Sequence, residues 1–201
     1  MNKPARGRPP QYDRDEALRA AMETFHKQGF AGTSLDDLAG AMHMSRPSMY
    51  NAFGNKAALY RHSLDYFIDQ IRAAARSRLD AEPALAPALA AFYGAALDVY
   101  FEQDPSLGCF VFCTAPAEAI AHPEVADVMR AVISEIDDAL ARRFQRAREA
   151  GQLPADRDCR EMARLAQSVL HGLALRARAG ASRRTLNRMV KSAVTMLCAG
   201  T

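Results

Sequence analysis

Tryptophan is absent from these 201 residues, and cysteine is scarce, with only Cys109, Cys113, Cys159 and Cys198. Four thiols in a chain of this length, none in a C-x-x-C pair, fall short of a disulfide scaffold, so reduced thiols are expected. Charges interrupt every apolar stretch before the roughly 18 residues of a membrane helix accumulate, so no membrane span or membrane partner is expected. The basic start, Met1 to Pro10, leads into no apolar segment of the secretory kind, and a cytoplasmic location is expected. Ten Pro, 11 Gly and a mean hydropathy of -0.20 exclude collagen-like order and argue against disorder. No H-E-x-x-H, G-x-S-x-G or Gly-rich phosphate loop occurs, so no enzyme active site, cofactor or metal is expected.

What is present is a 49% apolar composition, enough for a substantial core, and a small charge excess of +3 that conceals an asymmetry. Residues 1–56 carry 8 basic and 6 acidic groups, and residues 57–161 carry 11 basic and 17 acidic. Residues 162–201 hold seven basic groups (Arg164, Arg176, Arg178, Arg183, Arg184, Arg188, Lys191) and no acid. That last run has packing stripes and no interleaved aromatics. Pairing with the acidic middle, for instance Glu135, Asp137 and Asp138, is therefore expected ahead of nucleic-acid binding.

Apolar spacing predicts helix nearly everywhere. Asp13 with Glu16 reads as an N-cap and an acid three residues on; Leu18, Ala21, Met22 and Phe25 then recur at helical spacing until Gly29 can stop the helix. Thr33-Ser34 with Asp36-Asp37 opens a short second helix ending near His43. Ser45 caps a third, with Pro47 tolerated in its first turn and Gly54 as its end. Asn55 caps a long fourth helix bearing Tyr60, Leu64, Phe67, Ile68, Ile71 and Ala75. After a break at Pro83 and Pro87, helices are predicted over about 85–103, 107–120, 123–150, 157–179 and 183–198. No alternating run and no internal repeat appears, so the expected fold is all-α, with about nine helices.

Two short helices joined by a tight turn and preceded by an amphipathic helix match a helix-turn-helix. Met49 and Phe53, at i and i+4, can pack inward, leaving Arg46, Ser48, Tyr50 and Asn51 to donate hydrogen bonds to phosphates or base edges. A small helical subdomain with a solvated polar face fits the same pattern. Lys56 stands in the first turn of the fourth helix, where the macrodipole disfavours a cation by about 0.3–1 kcal/mol unless an external anion binds there. Thr33 and Ser34 carry hydroxyls able to serve either an anion or the helix cap.

The run Gly29-Phe30-Ala31-Gly32-Thr33-Ser34-Leu35-Asp36-Asp37-Leu38-Ala39, followed by Met44 to Leu59, resembles the N-terminal domain of TetR/AcrR-type transcriptional repressors over about residues 12–60. The resemblance implies a basic arm (1–11), a three-helix helix-turn-helix DNA-binding domain (12–56) and a helical-bundle effector and dimerisation domain (57–201) joined through the long helix. It implies a homodimer on a palindromic double-stranded operator, released by a small-molecule effector. By position it places Thr33, Ser45, Ser48, Tyr50, Asn51 and Lys56 at phosphate and base contacts, while Ala52 departs from the aromatic often found there. Arg6 and Arg8 are similar to arms that enter the minor groove, though an ordinary flexible terminus reads the same way.

A single short helix reads too few base pairs for one genomic site, which independently favours a dimer. Its interface is expected on the last two helices, through Ala166, Val169, Leu170, Leu173, Met189, Val190 and Val194, with small residues such as Gly172, Ala174 and Ala193 permitting close approach. Part of these stripes must also close the intrachain core. The expected effector pocket draws on Phe67, Phe92, Tyr93, Cys109, Phe110 and Cys113, with His122 and His171 as polar anchors, although aromatics are core residues by default. Cys109 and Cys113 share a helical face, and relatives with a Gly-Cys nearby sense electrophiles; here that chemistry requires a lowered thiol pKa. The rival readings are a Cys/His-dependent enzyme on a helical scaffold and a basic, membrane-associated helical scaffold.

Overall fold

The computed structural model describes residues 12–199, with residues 73–76 described by backbone alone, so Arg6 and Arg8 lie outside the described residues. Among the described residues there are nine helices and no strand: α1 (Arg14–Gly32), α2 (Leu35–Ala41), α3 (Arg46–Phe53), α4 (Lys56–Ala81), α5 (Leu85–Tyr100), α6 (Phe110–Glu118), α7 (Pro123–Glu149), α8 (Cys159–Arg178) and α9 (Arg183–Cys198). The all-α expectation holds.

Local chemistry sets the boundaries of the first helices. Asp13 Oδ1 accepts from the amides of Asp15 at 2.9 Å and Glu16 at 3.1 Å, and Gly29, at φ 73 and ψ 168, ends the regular part of α1 before a last turn to Gly32. Ser34 and Asp37 form a reciprocal capping box on α2. A cap of this kind contributes about 1 kcal/mol. The turn into α3 passes through His43 at φ 51, a left-handed conformation that most side chains avoid. Ser45 then caps α3 at the Ser48 amide, and Asn55 Oδ1 accepts from the Ala58 amide at 2.8 Å to start α4.

α6 begins three residues later than its pattern suggested. Gly108 stands at φ +69, and a Cβ there would lie 2.4 Å from the Ala174 carbonyl oxygen, so Leu107 to Cys109 forms an extended approach to α8 instead of a first helical turn. Arg178 Nη1 donates to the Leu107 carbonyl at 3.1 Å and holds the same approach.

The chain divides into two compact units, residues up to Tyr66 and from Phe67 onward. The sequence places the division at 56/57, where α4 begins; the compact units instead divide inside that helix. Its first turns complete the smaller core: Leu59, Tyr60 and Leu64 are fully buried, with Tyr60 packed edge-on to Phe25 at 5.0 Å and beside Phe30 at 5.2 Å. In the larger unit α7 packs on α8, α5 on α8 and α9, and α6 on α7 and α8, around Leu89, Leu97, Phe110, Leu140, Phe144 and Leu173. The proline-bearing link between α4 and α5 is pinned from α7 by Arg143. This buried guanidinium donates to the carbonyls of Glu82 (3.2 Å) and Pro83 (3.1 Å). Gln152 adds bonds to the Leu85 amide and the Pro83 carbonyl. No helix among the described residues is long and apolar enough to cross a membrane.

Candidate functional site

In the smaller unit α3 has two opposed faces. Met49 and Phe53 are 1% and 2% exposed, so one face is anchored in the core. Tyr12 lies against the Phe53 ring at 6.0 Å, and the Arg14 guanidinium sits over that ring at 4.9 Å. Tyr12, just ahead of α1, and Arg14, its first residue, steady α3, a role the helical spacing could not reveal. On the opposite face Ser48, Tyr50 and Asn51 are exposed, Tyr50 by 43% despite its large ring. A phenol and a carboxamide at neighbouring positions provide donor and acceptor atoms for base edges and phosphates.

Other residues expected at this interface have local duties. Thr33 is 2% exposed and its hydroxyl donates to the Gly29 carbonyl at 2.6 Å; burial removes it from a phosphate's reach, which corrects its placement as a contact residue. Ser34 is engaged in the capping box, where its hydroxyl and amide hold the Asp37 carboxyl below the usual range. Ser45 shares a hydroxyl contact with Ser48 at 2.8 Å. The Arg46 guanidinium is bidentate on Asp36, with Nε at 2.8 Å, and so ties α3 to α2. Both partners are exposed, so the tie is weak enough to exchange for a phosphate. Lys56 Nζ lies 4.4 Å from the centre of the Phe30 ring, an internal partner that offsets the helix dipole without any external anion.

In the larger unit the residues expected to line an effector pocket are mostly core. Phe67 and Phe110 pack edge to face at 5.8 Å, Phe92 lies against Tyr93 at 5.4 Å, and all four are buried. The Tyr93 hydroxyl donates to the Ala166 carbonyl at 2.8 Å, and burial pushes its pKa upward. His122 sits at the start of α7 beside Glu124, with Nδ1 3.7 Å from that carboxylate. A cleft of about 880 Å³ lies between α4, α7 and the start of α8 and is lined by none of the expected pocket residues. The aromatics of α4 to α6 are instead consumed in closing the core.

His171 differs from the rest. Its ring packs 4.1 Å from Phe112, its Nε2 is shielded from solvent with no hydrogen-bond partner, and burial lowers its pKa, favouring the neutral imidazole. Such an orphaned atom costs about 1–3 kcal/mol. Nearby, Gln167 is buried between α7 and α8, its amide nitrogen donating to the Ile133 carbonyl at 3.1 Å and to Asp137. Burial raises the Asp137 carboxyl.

The thiols run opposite to the requirement for a reactive pair. Cys109 is buried and its thiol is pushed up to about 12, the desolvation outweighing hydrogen bonds from the Phe112 and Val111 amides. Burial also raises half-buried Cys113. The thiolate fraction of Cys109 at pH 7 is then on the order of 10⁻⁵, against about 10⁻² for a free thiol. Mass-resolved alkylation by iodoacetamide should therefore leave Cys109 unmodified in the folded protein, while brief denaturation exposes it. Fast labelling of Cys109 in the native state would contradict this burial.

Most of the residues expected to line an interface on α8 and α9 face their own chain. Ala166, Leu170, Leu173, Val190 and Val194 are buried within their own chain, and the small side chains let other helices approach: Tyr93 reaches the Ala166 carbonyl, and Gly108 abuts Ala174. Val169 and Met189 are half-buried. The large apolar side chains left outside on these helices are Leu165, Leu175 and Met196, 62%, 65% and 79% exposed. Helical spacing locates a stripe but cannot say which of two wide faces turns inward.

Part of the basic run pairs with the acidic middle as expected, but through carboxylates other than Glu135 and Asp138. Glu135 is engaged by Arg72 at 2.9 Å and Asp138 by Arg160 at 3.3 Å, neither of them in residues 162–201. Within the run, Arg183 pairs with Asp98 of α5 and Arg164 with Glu161 of its own helix.

Known proteins carry the same organisation. Residues 17–62 match the family described as "Bacterial regulatory proteins, tetR family", and residues 86–193 match "Tetracyclin repressor-like, C-terminal domain". The HTH-type transcriptional repressor ComR of Escherichia coli is 32% identical over 97% of this chain and 92% of its own length. Among solved structures, a cysteine variant of the TetR family transcriptional regulator CifR in complex with 26-bp double-strand operator DNA is 32% identical. It covers 94% of this chain and 98% of its own, with a TM-score of 0.83. The reduced form of E. coli NemR, 17% identical over 92% of this chain and 94% of its own, shares the fold with a TM-score of 0.77. ComR and CifR are regulators, not enzymes, and both halves of the sequence match: the chain belongs to the TetR family of bacterial transcriptional regulators.

Proposed function

We propose that this protein is a ligand-responsive transcriptional repressor that binds a palindromic operator as a homodimer and releases it on binding a small molecule. The observation that carries the DNA-binding reading is α3, anchored through Met49 and Phe53 and presenting Ser48, Tyr50 and Asn51 outward. The likeness to a regulator solved on its operator supports the same reading. Gel-shift titration and footprinting on DNA upstream of the protein's own gene test it. A discrete footprint with two-fold symmetry is expected; uniform, salt-sensitive binding with no sequence preference would defeat it.

Homodimerisation is supported by the large apolar side chains that α8 and α9 leave exposed, Leu165, Leu175 and Met196, whose burial against a second copy would remove them from water. Leu175→Glu should shift the dimer to monomer in sedimentation velocity at micromolar concentration while helicity is retained. A dimer of wild-type strength in that variant would remove Leu175 from the interface.

An effector entering beside Phe112 would give the orphaned Nε2 of His171 a hydrogen-bond partner, which supports His171 as its polar anchor. A thiol-reactive effector would act at Cys113 ahead of the sealed Cys109. Release needs a coupling of only about 1–3 kcal/mol between effector and operator. α4, which contributes residues to both units, is the element able to transmit it.

A further inference from the structure

The cleft of about 880 Å³ in the larger unit has a charge pattern that neither the DNA-binding reading nor the effector reading uses. Its walls come from the last turns of α4, the second half of α7 and the loop entering α8. They bring together the guanidiniums of Arg142, Arg146, Arg148, Arg157 and Arg160. Against these stand three carboxylates, Asp80, Asp156 and Asp158.

Two of those carboxylates are already engaged. Asp158 caps α8, accepting from the amides of Arg160 at 2.8 Å and Glu161 at 3.1 Å, bonds that hold it ionised. Asp80 pairs with Arg146. The arginines are in part pre-positioned by neutral groups. Arg148 donates to the Arg157 carbonyl at 3.0 Å and to Gln145 at 2.6 Å, and Arg157 donates to the Ala199 carbonyl at 3.2 Å. Carbonyl and amide partners orient these guanidiniums without neutralising them. Arg142 is exposed and makes no hydrogen bond or ion pair with any described residue. Arg146 pairs with Asp80 and Arg160 with Asp138 at 3.3 Å, so the remaining positive charge is carried by Arg142, Arg148 and Arg157, in a concave space large enough for a metabolite-sized guest.

We propose that this cleft is a binding site for a small polyanion carrying at least two oxyanion groups, such as a phosphorylated metabolite. Planar guanidiniums match phosphate and carboxylate oxygens in two-point geometry, and convergence of several of them favours a multiply charged guest over a single anion. Asp80 acts as the internal competitor: the incoming anion takes over Arg146 and releases the end of α4 from α7. Asp156 opposes binding by like charge, which raises the charge the guest must carry.

Isothermal titration of the full-length protein with inorganic pyrophosphate, with chloride and citrate as comparison anions, tests the site. Saturable binding at one site per chain is expected, weakening as potassium chloride is raised. Arg142→Glu should weaken it at least tenfold with little change in thermal midpoint, because exposed Arg142 makes no hydrogen bond or ion pair with any described residue. Asp80→Asn should tighten it about threefold or more, while Glu102→Gln, outside the cleft, should leave it unchanged. Retention of wild-type affinity in Arg142→Glu would overturn the proposal, as would equal tightening by Asp80→Asn and Glu102→Gln, the mark of a mere net-charge effect. Tight binding of citrate with no pyrophosphate binding would reassign the guest to a polycarboxylate and overturn the phosphate class.

Discussion

Gly108→Ala is expected to lower the thermal midpoint by about 6–12 °C. The new Cβ would lie 2.4 Å from the Ala174 carbonyl oxygen and 3.0 Å from Cys113 Sγ. The first neighbour is backbone inside α8 and cannot rotate away. The residue also stands at φ +69, where an L side chain adds roughly 1–2 kcal/mol of its own. Relieving the clash requires the approach to α6 to lift from α8, breaking the Arg178 bond to Leu107; the total cost is about 3 kcal/mol. Gly94→Ala is the matched control. Gly94 lies within α5 with nothing within 4 Å of its would-be Cβ, so the same substitution should stabilise by about 0.5–1 kcal/mol. Differential scanning calorimetry of the two variants decides the matter: equal midpoints would show that Gly108 is not pressed against α8.

The second large effect falls on operator binding. Tyr50→Ala combined with Asn51→Ala should weaken the specific complex by at least a hundredfold at fixed salt, with little change in thermal stability. Each lost base contact is worth about 1–3 kcal/mol, and two-fold symmetry counts every loss twice. Both side chains are exposed, so their truncation leaves the core intact. Met49→Ala provides the contrast: truncating this buried side chain should cost about 2–5 kcal/mol of folding stability and abolish binding by unfolding α3. Fluorescence anisotropy on specific and scrambled duplexes separates the outcomes. A double variant that retains wild-type preference would show that α3 does not read the bases.

Much of the first unit is legible in the sequence because its instructions are local. Asp13, Ser34, Ser45 and Asn55 act on amides two or three residues away, and Gly29 and Gly54 end helices through their own φ, at 73 and 80. Spacing alone pairs Met49 with Phe53. What spacing could not show is which hydroxyl or guanidinium already has a partner: Thr33 looks like Ser48 in one dimension, yet one is buried on a carbonyl and the other exposed.

The sequence by itself determined nine capped or punctuated helices, a helix-turn-helix and the polarity of its reading face, because each follows from interactions within about four residues. Only the tertiary structure decided that α8's small residues receive Tyr93 and the Gly108 approach, that Cys109 is sealed, that Lys56 rests on Phe30, and that five arginines meet in one cleft. Burial and charge convergence depend on which distant helices share a face. That choice is settled by the packing of whole stripes against one another, information that no single stretch of the chain contains.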